Sequence, residues 1–307
     1  MSLIVVGTMA FDAIQTPFAK TDQVIGGSAT YVAYAASNFV QPIHQVSIVG
    51  FDFPEEEMNE LRKRGVQLEG VKVVPDKKSF FWSGKYHMDM NSRDTLVTDL
   101  NVLLDFDPQL PASYQDAEFL MLGNLDPRVQ MKVITQMKKR PKLIAMDTMN
   151  FWMESTMPEL EQVLKMVDVL IINDSEARQL SAQFSLVKAA REILKMGPKY
   201  LVIKKGEHGA LLFHEDQVFF APALPLEEVF DPTGAGDTFA GGFIGHLART
   251  RDVSFNNMKS AIIVGSALAS FCVEKFGPAR LKEISKKDID RRIQQFVDLV
   301  NFDIELV

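Results

Sequence analysis

Residues 231–237 read Asp-Pro-Thr-Gly-Ala-Gly-Asp and run straight into the apolar, helix-compatible stretch 238–244. A glycine-rich turn that opens a helix aims several backbone N–H groups at one point, and the helix dipole adds partial positive charge there. Such a place suits a phosphate or a developing phosphoryl transition state. The turn ends in the carboxylate of Asp237, positioned to take a proton from an attacking hydroxyl. An anion cradle beside a base is what phosphoryl transfer to an alcohol requires. An ordinary tight turn, with Asp237 as a first-turn helix charge, is the plainer alternative; the full seven-residue string, with the further motifs below, argues against it.

Other glycine chemistries fail on detail. A P-loop needs GxxxxGK followed by Ser or Thr, which is absent, and a dinucleotide fingerprint needs a third glycine where Phe239 stands. The five histidines, at 44, 87, 208, 214 and 246, have no paired spacing that suggests zinc. There is no GxSxG elbow and no Cys/His pair for acyl chemistry. The single cysteine, Cys272, lies in an apolar helical stretch and reads as a buried, inert thiol.

Short apolar runs that read as buried strands fall at 3–6, 46–49, 119–122, 143–146, 169–172 and 200–203. Helix patterns fall near 28–40, 54–65, 127–139, 155–166, 174–182 and 186–196. This alternation predicts an α/β fold with a mostly parallel sheet covered on both faces. A hairpin at 209–214 and 217–221 precedes three helices at about 236–250, 254–273 and 286–300. Segments 13–25 and 76–101 have strand character without a following helix and predict a small β lid that grows out of a single domain, 1–307.

The net charge of −7 without Lys/Arg tracts argues against nucleic acid and against an anionic membrane surface as partners. No apolar run reaches the length of a membrane span, and the first residues read as a buried strand without a cationic leader, so a cytoplasmic location is expected.

Four motifs in order carry a resemblance to a known family: Gly26-Gly27 before a helix, Asn173-Asp174-Ser175-Glu176, the run 202–209 with Gly206 and Gly209, and the turn 231–239. The chain resembles the PfkB/ribokinase family of ATP-dependent carbohydrate and nucleoside kinases over nearly its whole length. The resemblance implies a ribokinase-like three-layer fold with a β lid. It also implies roles. Asp237 would be the catalytic base, and the backbone of Gly234, Ala235 and Gly236 the anion hole, with Thr233 beside it on the cofactor side. Asn173 and Glu176 would organise Mg²⁺ and the phosphates, Glu176 through water; they equally suit an N-cap and its N3 partner. Gly206 and Gly209 would let the chain pass close to ATP, and Lys205 would either touch a phosphate or stand as a solvated strand-end charge. Asp12, at the end of the first strand, would meet the acceptor together with Gly26, Gly27, Tyr31 and Arg93. Backbone N–H groups alone do not offset the charge of ATP, so a divalent ion is expected. The resemblance also allows a monovalent cation such as K⁺ beside the anion hole.

Departures bear on the acceptor. Tyr31 stands where many members carry Asn, Ser28 where several sugar kinases carry Lys, and Lys204 and Lys205 replace the usual Thr and apolar residue. Phe80, Trp82 and Tyr86 alternate along one lid strand; packing of lid against lid in a homodimer, or under the lid itself, is favoured over stacking on a substrate. The expected activity is ATP- and Mg²⁺-dependent phosphorylation of a hydroxymethyl group. A sugar acceptor leads on family breadth, a nucleoside is the alternative, and a silent sensor on the same fold is the reading from another class.

Overall fold

The computed structural model describes residues 2–301. The chain enters on β1 (Leu3–Val6), then rises into β2 (Ala10–Gln15) and β3 (Lys20–Gly26), and returns through α1 (Ser28–Ala36) to β4 (Ile43–Gly50). It continues through α2 (Glu55–Lys63), β5 (Val66–Val74), β6 (Phe80–Tyr86) and β7 (Arg93–Asp99). Three βα units and a further strand follow: β8 (Phe119–Leu122) with α3 (Pro127–Thr135), β9 (Leu143–Asp147) with α4 (Asn150–Ser155) and α5 (Met157–Leu164), β10 (Val169–Asn173) with α6 (Asp174–Ser181) and α7 (Leu186–Lys195), and then β11 (Tyr200–Lys204). The last of these leads into the hairpin β12 (Ala210–His214) and β13 (Gln217–Ala221). The helices α8 (Ala235–Thr250), α9 (Phe255–Cys272), α10 (Ala279–Glu283) and α11 (Lys286–Val300) complete the described chain.

Nine strands form the main sheet in the order β13-β12-β11-β10-β9-β8-β1-β4-β5, parallel from β11 to β5 and antiparallel in the hairpin. Its central strands β1, β8, β9 and β10 are apolar on both faces because both are covered. Leu3 and Val5 face the core shared with α1, α8 and α9, while Ile4 and Val6 face the core beneath α3, α5 and α7. Val169 and Ile171 against Leu170 and Ile172 repeat the division on β10. The three-layer α/β expectation therefore holds, and the period-two alternation of the pleat explains it.

The lid is a separate four-stranded sheet, order β3-β2-β6-β7. The expected antiparallel pairing of β6 with β7 is present, and β2 joins β6 in parallel. Three details differ from the sequence reading. Asp12 lies within β2, in the lid sheet, and not at the end of β1. The helix expected at 155–166 runs from Met157 to Leu164, and a separate short helix, Asn150–Ser155, precedes it across Thr156, which has non-helical backbone angles. Residues 66–74 form β5, an edge strand whose polar and apolar residues alternate because only one face is covered. Among the described residues, no helix is long and apolar enough to cross a membrane.

Glu57 on α2 is buried and accepts hydrogen bonds from Tyr34 Oη on α1 (2.5 Å) and Lys282 Nζ on α10 (2.6 Å). Truncating one member of such a set strands the others in a low-dielectric site. Glu57→Ala is expected to lose about 3 kcal/mol of stability in urea unfolding.

Candidate active site

A cavity of about 1680 Å³ opens over the carboxyl ends of the parallel strands and under the lid. Ligands bind at this edge in open α/β sheets because the strand ends and helix N-termini converge there. Asp237, Gly234, Ala235, Gly236, Thr233, Asn173, Glu176, Gly206, Gly209, Asp12, Gly27, Tyr31 and Arg93 all line it, so one cavity gathers motifs more than 200 residues apart in sequence.

The turn before α8 is built around Gly234, which caps the helix with φ of 74°. A side chain there would also overlap the Tyr31 ring. Asp231 is buried and holds the turn from behind, accepting from Thr233 N (2.8 Å) and Gly277 N (3.2 Å). Ala235 N donates to the Pro232 carbonyl (3.2 Å), so its amide is not open to an anion as expected. Among the described residues, Gly236 and Asp237 are the first helical N–H groups without a backbone acceptor. They point as an unpaired helix N-terminus does, and oxyanions are stabilised by such donors.

Three strand ends add polar groups, two of them charged. Asp147 on β9, Asn173 on β10 and Lys204 on β11 are neighbours across the sheet edge. Lys204 Nζ donates to Asp147 Oδ2 (3.1 Å), and Asp147 Oδ1 accepts from Thr148 N (2.7 Å). Asn173 and Glu176 form a reciprocal capping box, with Asn173 Oδ1 accepting from Glu176 N (2.8 Å) and Glu176 Oε2 accepting from Asn173 N (2.7 Å). The helix-start reading of this pair is thus realised, and both residues face the cavity as well. Enclosure and the neighbouring Asp147 push the carboxyls of Asp237 and Glu176 well above their ordinary range; Lys204 and Arg93 pull the other way.

Asp12 faces the turn from the lid side. Its carboxyl is pushed up to about 8 by burial and then by Asp231 and Asp237, with Arg93 opposing. Gly26 does not line the cavity; a side chain there would overlap the Asp12 carboxylate, so Gly26 makes room for it. Tyr31 is buried above the turn, and its hydroxyl has no hydrogen-bond partner among the described residues. Phe80, Trp82 and Tyr86 line the cavity on the underside of the lid. Trp82 Nε1 donates to Thr95 Oγ1 (3.3 Å), and Thr233 Oγ1 donates to Tyr86 Oη (3.1 Å), tying lid to turn. Phe81, on the other strand face, packs on the main core.

Lys205 is not brought to the cavity: its ammonium stands 5.9 Å from the Phe220 ring centre on β13. Its neighbour Lys204 is there instead, because adjacent residues leave a strand in opposite directions. Gly206 and Gly209 do line the cavity, but their lack of a side chain makes room for the lid residue Asn91 and the Ala221 carbonyl. Asp147 escaped the sequence reading, although its place just after a buried strand is a signal of the kind that drew attention to Asp12. Cys272 is buried with its thiol pushed up by enclosure, and Sγ lies 3.6 Å from the Thr233 carbonyl oxygen.

Residues 2–284 match the model of the pfkB family carbohydrate kinases. The chain belongs to that family. This pfkB-family kinase is a phosphotransferase with an alcohol group as acceptor. It is similar to the cytidine kinase of Thermococcus kodakarensis, 28% identical over 283 residues that cover 90% of this chain and 98% of the relative. Its fold is similar to that of the Burkholderia thailandensis nucleoside kinase in complex with inosine (TM-score 0.76, 20% identity, 96% of this chain and 98% of the other). It is equally similar in fold to an E. coli protein assigned as ribokinase II, in complex with ATP and Mg²⁺ (TM-score 0.76, 20% identity, 96% and 99% covered).

The pfkB-family site fits ATP and Mg²⁺ on its own chemistry. Asp147, Glu176 and Asp237 share the cavity with Lys204 as the enclosed cation, which leaves excess negative charge for a divalent ion. No group of three or more ligating side chains stands together among the described residues, so Mg²⁺ would be held by Glu176 and Asp147 largely through water and by the phosphates.

The Asp12 carboxyl is raised in the folded protein, so the stability it adds is present below the unfolded value near 4 and is lost as pH rises toward 8. Asp12→Asn is expected to melt above wild type at pH 8 and to show less advantage at pH 5.5; calorimetry at the two pH values reads the difference.

Proposed function

We propose that this kinase transfers the γ-phosphoryl of ATP to the 5′-hydroxymethyl group of a nucleoside. The observation that carries the reading is the wall of Phe80, Trp82 and Tyr86, which lines the cavity beside Asp12, the cross-strand neighbour of Trp82. Leu103, Leu125, Phe151 and Trp152 extend the apolar lining. A free pentose presents hydroxyls on nearly every edge and would leave this wall against water, whereas a nucleobase buries flat apolar area there. The similarity to nucleoside kinases supports the same choice.

In this reading Asp12 accepts hydrogen bonds from the ribose hydroxyls, since the protein gives its carboxylate no hydrogen-bond partner among the described residues. The Tyr31 hydroxyl, unpartnered in the same wall, donates to the acceptor. Gly27, with φ of 93°, brings the start of α1 against the sugar. Arg93, 5.6 Å from the Trp82 ring centre, completes the acceptor side from the lid. Asp237 takes the proton of the hydroxymethyl group. Its raised pKa does not impede this role, because proton transfer is late when the phosphoryl transition state is loose. The N–H groups of Gly236 and Asp237 receive the charge of the transferring phosphoryl. Bound Mg²⁺ supplies charge compensation for the triphosphate.

ADP release from Mg-ATP would be followed with cytidine, uridine, adenosine, guanosine and inosine beside ribose, hexoses and their monophosphates. A nucleoside is expected to give the highest kcat/KM, and Asp237→Asn to lower kcat by about 10²–10⁴-fold. Free sugars reacting while nucleosides do not would overturn the reading in favour of a sugar kinase. No turnover with ATP still bound would point to the sensor.

Trp82→Ala separates the two acceptor classes. Stacking on a base contributes roughly 1–3 kcal/mol, so the nucleoside KM is expected to rise about tenfold or more, with any activity on free ribose unchanged.

A further inference from the structure

Lys204 is a departure from the family pattern, and the fold sets it beside the anion turn. It closes β11 at the sheet edge, two strands from Asp147, and its side chain is 18% exposed. Its ammonium lies 2.9 Å from the place a Cβ on Gly236 would take, so it stands against the segment that carries the open N–H groups. A lysine has three donor positions. Among the described residues, Asp147 is its one hydrogen-bond partner, which leaves two donors facing the cavity beside the turn.

A purely structural ion pair explains this poorly. Asp147 already accepts from Thr148 N, and a shorter polar residue at 204 would leave no strong cation to desolvate. A full positive charge beside two backbone N–H groups does have a use in this family: the three equatorial oxygens of the transferring phosphoryl.

We propose that Lys204 is a catalytic residue, its ammonium contacting a non-bridging oxygen of the γ-phosphoryl while Asp147 holds the side chain in place. The acceptor oxygen forms a bond to the γ-phosphorus as the bond from that phosphorus to the bridging oxygen breaks. The electron pair leaves on the β-phosphate of ADP, and the acceptor's proton goes to Asp237. Lys204 keeps its protons throughout and supplies hydrogen bonds and charge. The proposal rests on the kinase assignment and not on which acceptor is used.

The test compares wild type with Lys204→Met in the full chain. Affinities for Mg-ADP and for a non-hydrolysable Mg-ATP analogue would be measured by calorimetry, together with kcat on whichever acceptor reacts. The expected result is a kcat lower by about a hundredfold, an acceptor KM within threefold, and an affinity loss confined to the triphosphate. Equal loss for both nucleotides, or kcat within threefold of wild type, overturns the proposal. If Lys204→Met lowers the melting temperature sharply, Lys204→Arg enters the same comparison: it keeps the charge, displaces it, and must change the triphosphate-to-diphosphate ratio. The nucleotide comparison needs no acceptor, so it decides the role of Lys204 even if the nucleoside reading fails.

Discussion

Repulsion among carboxylates is the constraint around which this molecule is arranged. Asp12, Asp147, Glu176, Asp231 and Asp237 are brought into or around one cavity, and each would be costly to enclose alone. Three are stabilised by the protein itself. Asp231 accepts two backbone N–H groups, Glu176 accepts one through the capping box, and Asp147 has Lys204 and Thr148 N. Enclosure raises the carboxyls of Asp12, Glu176, Asp231 and Asp237 alike, but Asp12 and Asp237 receive no such hydrogen bonds among the described residues. The two without such bonds are those that, in the proposed reading, face the acceptor and the phosphoryl group. Binding of hydroxyls and of cationic charge relieves them, and the large two-sided core carries the cost in their absence.

Packing fixes where that relief is delivered. The Tyr31 ring lies over Gly234, Tyr86 is bonded to Thr233, and the lid tip reaches Gly206 through Asn91. The lid therefore touches both the glycine turn and the nucleotide loop. In the proposed reading, an acceptor held under the aromatic wall is presented to the same N–H groups that would receive the phosphate. Proximity of this kind contributes more to phosphoryl transfer than proton transfer does.

Residue order alone determined the chemistry and the class of fold. The string 231–237 and the pair Asn173 and Glu176 are local patterns whose purpose depends on neighbours a few residues away, so they are legible without a structure. The apolar runs are legible too, because a strand covered on both faces must be apolar throughout. The edge strand β5 has one covered face, and its mixed residues hid it.

What only the tertiary structure decided is which side chains meet. Lys204 and Lys205 are adjacent and chemically alike, yet the pleat sends one to the phosphate turn and the other over Phe220 on the hairpin. Phe80, Trp82 and Tyr86 could have served a partner lid or a ligand, and the pairing of β6 with β2 aims them into the cavity. Asp147 becomes part of the site only because β9, β10 and β11 lie side by side in register. Patterns with a local cause are written in the order of residues. Contacts between strands distant in sequence arise only when the sheet closes.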